Sequence, residues 1–284
     1  MTGALTFATG PVQLDDDGAH LRRELGRSLA DALGVDVEVV AEPSYAALGD
    51  RVARGEAAIA WLPPATFVRA ADSGAIERVY CAERSGGARY QSALFVRAES
   101  RFDAPESLAG MRVAWVDRDS CAGYLFPRLE LVQRGQPPET LFSEQRFLVS
   151  HRRVVCAVQA GEVEAGATFV QVRSDPARPS RPPGAAEARD DLAGSLALVG
   201  WAPFVAPAAM RAVLVSRAIP SDAVCVTRAL PPALRDAVGN LLEVAGERPR
   251  LQRLFRGLMN ADRFVRAEPS SYDAVREAMR GAPA

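Results

Sequence analysis

Residues 35–62 read VDVEVVAEPSYAALGDRVARGEAAIAWL. VDVEVVAE (35–42) alternates polar and apolar side chains, the period of a half-buried strand. YAALGDRVARGE (45–56) has helical spacing, and Ser44 stands where an N-cap hydroxyl is needed. AAIAWL (57–62) is a short continuous apolar run, as expected of a strand buried on both faces. Strand, capped helix, strand is a parallel unit with a right-handed crossover.

Outward from this unit the alternation continues. ALTFAT (4–9) predicts a strand and HLRRELGRSLADALG (20–34) an amphipathic helix ending at Gly34. Pro63-Pro64 opens a helix over 65–74. VYCAER, YQSALFVRA and MRVAWV predict strands, followed by helix 123–134, strand 145–150, helix 151–162 and the strand EAGATFVQVR. SDPARPSRPPGAAEARDD (174–191) reads as an exposed loop. SLALVGWAP and MRAVLVS predict strands, and IPSDAVCVTRALPPALRDAVGNLLEVA a turn plus helix. PRLQRLFRGL and SSYDAVREAMRG are helical. The fold class is therefore α/β, built from two strand-helix units.

Composition narrows the function. The chain has 284 residues and a formal net charge of -1, which gives no field for nucleic acid or an anionic membrane. Every basic side chain among the 34 Lys+Arg positions is Arg, which excludes Schiff-base and P-loop lysine chemistry. Four cysteines (81, 121, 156 and 225) form no C-x-x-C pair. Cys81 and Cys225 lie in apolar runs and Cys156 on a helix, so free buried thiols are expected. Two histidines, His20 and His151, leave no His-rich metal site, and no cofactor is expected. MTGALTFATGPVQLDDDG lacks a basic start and a sustained apolar core, and no apolar run reaches membrane-spanning length. As written the sequence predicts a cytoplasmic protein without membrane insertion; a trimmed mature form would be periplasmic.

Ligands of parallel α/β units sit at strand carboxyl ends, facing helix N-termini. Three turns meet that condition. In VDRDSCAGYLFP (116–127), small residues at a helix start let an anion approach backbone N–H groups, and an ordinary capped helix start is the alternative. In LVSHRRVVCAV (148–158), Ser150 caps a helix whose first turn holds His151, Arg152 and Arg153. Three cations there oppose the helix dipole, so they are either matched by a bound anion or simply solvated. In EPSYAAL (42–48), Tyr45 can donate its hydroxyl across a cleft or serve as a half-buried core residue. As a nucleophile Cys121 would need His151 as its base, and no third orienting residue is apparent. No catalytic residue is assigned.

Taken in order, these segments resemble the phosphate/phosphite/phosphonate-binding proteins of ABC transporters. YAALGDRVARGEAAIAWLPP (45–64) resembles that family's early motif, and RSGGARYQSALFVRAESRFDAPESLAGMRVAWVDRDSCAGYLFP (84–127) its central signature. SHRRVVCAVQAGEVEAGA (150–167) resembles its Ser-His helix and Ala-Gly turn; IPSDAVCVTRALPPAL and SSYDAVREAM resemble its closing segments. The resemblance implies a type II periplasmic-binding-protein fold: two Rossmann-like lobes, 1–94 with 207–284 and 95–206, with the ligand cleft between them. Crossings are expected near Tyr90–Arg97 and Trp201–Pro207.

It also implies a solute-binding protein for a small oxyanion, with an ABC permease as partner. Tyr45, Tyr90, Ser120, the N–H groups of Cys121, Ala122 and Gly123, and His151 match the family's ligand positions. Cys121 and Ala122 depart from the hydroxyl residues common there, each lost hydrogen bond weakening oxyanion binding by roughly 0.5–1.5 kcal/mol. Thr168 and Phe169 stand near a position often acidic in the family, which disfavours 2-aminoethylphosphonate. A less polar ligand or a different small anion fits these departures. Two alternatives stay open: a cytosolic enzyme on the same fold, such as a menaquinone-pathway lyase, and a cytosolic ligand sensor.

Overall fold

The structure, a computed structural model, describes residues 4–10, 16–84, 87–172 and 196–281. The loop expected at 174–191 lies outside the described residues. The chain divides into two compact units, Met1–Ala88 with Pro220–Asp273 and Arg89–Ile219 with Ala274–Ala284.

The first unit contains the opening stretch. Strands β1 (Leu5–Thr9), β2 (Val37–Ala41) and β3 (Ile59–Leu62) pair in parallel, with β1 in the middle. The helices α1 (Asp16–Leu33) and α2 (Tyr45–Ala53) make the two crossovers, and α3 (Pro64–Ala71) follows β3. Strand β4 (Ile76–Glu83) completes this half of the chain's contribution. The expected helix boundaries shift by a few residues, but each of these elements forms. Ser44 caps α2 as anticipated, its Oγ accepting from the Ala47 N–H at 3.1 Å.

The region read as one turn plus helix is in fact β11 (Ile219–Pro220), β12 (Ala223–Thr227) and α7 (Pro232–Glu243). All five residues of β12 are buried between antiparallel partners β3 and β4. An apolar strand covered on both faces shows no alternation, so its pattern blends into the neighbouring helix. After α8 (Pro249–Met259), strand β13 (Arg263–Ala267) was also absent from the expected elements. The sheet order is β13-β4-β12-β3-β1-β2. Its core gathers Phe7, Leu29, Trp61, Tyr80, Leu254 and Phe255, with Phe255 edge-on to Phe264 at 4.8 Å.

The second unit is built on β5 (Arg89–Arg97), β6 (Arg112–Trp115), β7 (Glu144–Phe147), β8 (Ala165–Val172), β9 (Leu196–Val199) and β10 (Met210–Val215). The order is β10-β5-β8-β6-β7, with β9 paired to β8. β6 runs parallel to β7 and β8, whereas β5 is antiparallel to β8. Helices α4 (Phe126–Gln133), α5 (Pro138–Leu141), α6 (His151–Gln159) and α9 (Asp273–Arg280) complete the regular structure. Phe95, Val154, Val158 and Trp201 form much of its core. Gly166 lets α6 lie close, since a Cβ there would come within 2.6 Å of Val154.

The divisions expected at 94/95 and 206/207 fall elsewhere, at 88/89 and 219/220. β5 and β10 are antiparallel partners in one sheet, so neither can be split from the second unit. The terminal helix also belongs with that unit, where Glu277 meets Gln133 and Arg217. Among the described residues no helix is long and apolar enough to cross a membrane.

Candidate functional site

The antiparallel setting of β5 brings its first residues to the edge where β6, β7 and β8 end. Gln91 pairs with Val170 and Ser92 with Phe169, so half-buried Tyr90 stands at that edge. The turns after β6 and β7 open there too. Tyr90, Ser120–Gly123 and His151 thus share one end of one sheet.

The turn after β6 is shaped by its own side chains. Asp117 Oδ1 accepts from the Asp119 N–H at 2.9 Å, and Ser120 then caps the helix. The first turn, Cys121–Leu125, is wound wide. The Leu125 N–H reaches the Ser120 carbonyl at 3.0 Å, five residues back, as in a π-turn. Such turns recur at functional sites. The Gly123 N–H, expected to face an anion, donates to Ser120 Oγ at 3.0 Å in this structure. The Ser120 hydroxyl still has its proton to give. A side chain at position 123 has no room: a Cβ would lie 2.4 Å from Val116 Cγ2.

Two further groups hold this turn. Ser92 Oγ donates to the Ala122 carbonyl, and Ser92 is 0% exposed. Below, Tyr124 meets Trp115 and Phe147 edge-on at 5.6 and 5.2 Å. Ser92 escaped the sequence reading; a lone hydroxyl in the apolar run YQSALFV was the available signal.

His151 is the first residue of α6, and Ser150 caps that helix by accepting from the Arg153 N–H at 3.3 Å. Its Nδ1 lies 2.9 Å from Thr168 Oγ1, and its ring stands edge-on to Phe169 at 5.3 Å. Burial pushes the imidazole down to about 4, so it is neutral at pH 7. The first turn of α6 therefore carries two cations, Arg152 and Arg153, both exposed, in place of the three expected. A neutral imidazole has one donor and one acceptor nitrogen. When Thr168 donates to Nδ1, the proton sits on Nε2 and that edge becomes a donor. Thr168, also 0% exposed, is held in turn by Gly200, where a Cβ would meet its Oγ1 at 2.5 Å.

Tyr45 belongs to the first unit, as the first residue of α2. It is 39% exposed, and its ring lies against Gly10, where a Cβ would come within 2.6 Å of the ring. This is a surface placement rather than a core one.

The thiols do not form a reactive set. Cys81 and Cys225 are buried, and burial pushes both thiols up. Cys121 is 5% exposed, while Cys156 is exposed, against the expectation of burial, because it faces outward from α6. Among the described residues no group of His, Cys, Asp or Glu is arranged to hold a metal ion.

Residues 7–272 match the family described as the periplasmic substrate-binding protein of phosphonate ABC transporters. The chain belongs to this family. A phosphate-import protein PhnD from Mycolicibacterium smegmatis is 26% identical over 175 residues, 58% of this chain and 54% of that protein. The match thus spans about half the relative's length. Among solved structures, XAC2383 from Xanthomonas citri bound to chloride superposes with a TM-score of 0.74 at 17% identity, covering 98% of this chain and 97% of that one. PhnD1 from Prochlorococcus marinus in complex with methylphosphonate gives 0.73 at 16% identity, covering 99% and 98%. These likenesses show the type II periplasmic-binding-protein fold. The phosphonate-binding family consists of solute-binding components of ABC transporters and not of enzymes, so the lyase alternative falls away.

Proposed function

We propose that this phosphonate-family protein captures a small tetrahedral oxyanion, phosphonate, phosphite or phosphate-like, for an ABC permease in the periplasm. What supports this is that the Ser120 cap and His151, both at helix starts, follow the neighbouring parallel strands β6 and β7 and so belong to the same end of one sheet. Helix N-termini favour anions through unpaired N–H groups and the aligned peptide dipoles. In the proposed complex the Ser120 hydroxyl, the Cys121 and Ala122 N–H groups, Tyr90 and His151 Nε2–H donate to the oxyanion. A neutral histidine donor holds the anion without offering it a proton.

Two relatives support the ligand class: the M. smegmatis protein is named for phosphate import, and the P. marinus structure holds methylphosphonate. Thr168 is committed to His151 and carries no charge, so an aminoalkyl group would find no counter-ion there. Methylphosphonate is accordingly expected to bind more tightly than 2-aminoethylphosphonate.

The test is thermal unfolding and calorimetry with phosphate, phosphite and methylphosphonate, with sulfate as a control. A ligand at about 100 times its Kd adds about 2.7 kcal/mol to stability. If none of the phosphorus oxyanions shifts the melting temperature at millimolar concentration, oxyanion capture is excluded.

A further inference from the structure

We propose that Arg217 is a positioning residue for the anion turn, and that through helix α4 it couples oxyanion binding to the segments by which the chain passes between its two units. This rests on oxyanion capture at the Ser120 turn and adds how that turn is held from behind.

The wide turn Cys121–Leu125 runs without a break into α4 (Phe126–Gln133), so turn and helix form one element. Two adjacent residues that follow β10 hold it at both ends. The Ser216 N–H donates to the Ser92 carbonyl at 2.8 Å, and the Ser92 N–H donates to Ser216 Oγ at 2.9 Å. Both serines are buried, and Ser92 Oγ donates in turn to the Ala122 carbonyl, inside the wide turn. Arg217 takes the other end. Its backbone N–H and its Nε both donate to Glu130 Oε1, at 3.1 and 2.9 Å. Its Nη2 donates to Gln133 Oε1, on the last residue of α4.

The same bonds reach every passage of the chain between the units, which fall after Ala88, Ile219 and Asp273. Ser92 stands just past the first passage, Ser216 and Arg217 just before the second, and Glu277 just past the third. Glu277 accepts from Arg217 Nη1 at 3.4 Å and from Gln133 Nε2 at 3.3 Å. Helix α4 is therefore the common anchor: its first turn offers N–H groups to the anion, and its body fixes the passages.

An isolated exposed ion pair would do little of this. Arg217 is not isolated: its side chain is 30% exposed and that of Glu130 is 14% exposed. The planar guanidinium aims its donors in a fixed fork, so three side chains on two helices are held in one geometry. A lysine ammonium on a flexible stem has the charge without the fork.

Calorimetry and amide hydrogen exchange on the whole protein decide it, with phosphite and methylphosphonate as probes. The variants are Arg217→Lys, which keeps the charge, Glu130→Gln, which keeps an acceptor oxygen, and the two combined. Each single variant is expected to lose roughly 3- to 10-fold in affinity, and the combination no more than the worse single variant. In the native protein, saturating ligand slows exchange at Ser216 and Arg217 by the same factor as at residues 121–125. In the variants that slowing stays at the turn and is lost at 216 and 217. Native affinity in both single variants, even with reduced stability, overturns the positioning role and leaves oxyanion capture standing. So do losses that add in the combined variant, or ligand protection that stops at the turn in the native protein. A native protein that binds neither probe overturns both readings.

Discussion

His151 Nδ1 and Thr168 Oγ1 lie 2.9 Å apart, although 17 residues separate them in the chain. The contact joins the start of α6 to the last of the four consecutive buried residues that open β8, and it decides which imidazole nitrogen can face a ligand. Replacing Thr168 with Val keeps its shape but removes the hydroxyl, freeing the ring to exchange tautomers and rotate. Oxyanion affinity in Thr168→Val is expected to fall about tenfold, the loss of one hydrogen bond to an anion. Thr168→Ser restores most of it. Nitrogen-15 spectra of the imidazole supply the second readout: one dominant neutral tautomer in the native protein, a mixture in Thr168→Val.

The pH dependence of stability follows from the same ring. Its pKa in the folded protein is about 4, below the ordinary 6.5, because burial disfavours the charged form. Between these values the unfolded chain binds more protons than the folded one, so stability rises with pH across that window. The contribution is complete above about pH 6.5 and lost as pH falls towards 4, roughly 3 kcal/mol in all. Melting curves from pH 4 to 7 should therefore be steeper for the native protein than for His151→Gln. Equal slopes would show that the ring titrates normally.

The Ser92 hydroxyl presents a different case, since it touches backbone rather than ligand. Its bond to the Ala122 carbonyl ties the wide turn of the anion loop to β5. Ser92→Ala leaves that buried carbonyl without this donor, at a cost of about 1–3 kcal/mol. Denaturant unfolding should register this loss, and oxyanion affinity should fall with it because the loop is held less firmly. An unchanged affinity in a destabilised variant would confine Ser92 to folding.

The division between what the sequence discloses and what it hides is physical. Strand-helix periodicity and the caps Ser44, Ser120 and Ser150 are local, so the opening β-α-β unit and both candidate helix starts could be placed from residues a few positions apart. Strand β12 could not, because a strand buried on both faces has no alternation to betray it. Nor could Ser92 and Thr168 be assigned their tasks. Each acts across the order β5-β8-β6, a fact of sheet topology, and each looks in sequence like a hydroxyl inside an apolar run. The φ of 68° at Val149 could not be read either, because nothing in a residue's identity announces a left-handed backbone when the residue is not glycine.

Gly123 offers the strictest test of the loop. The Val116 N–H donates to the Gly123 carbonyl at 3.2 Å, so strand end and helix start press directly together. A Cβ at position 123 would lie 2.4 Å from Val116 Cγ2, 2.5 Å from Val116 Cβ and 2.8 Å from Ser120 Oγ. Gly123→Ala must therefore push the turn off its strand, which moves the Ser120 cap and costs about 1–3 kcal/mol, the usual range for overpacking. Both stability and oxyanion binding should drop. Trimming the neighbour does not repair it: Val116→Ala removes the methyl at 2.4 Å but leaves the Cβ at 2.5 Å, so the double variant stays impaired in binding. Recovery of native affinity in that double variant would mean that the anion loop can be rebuilt without the close backbone contact, and that Gly123 is there for packing with one side chain alone.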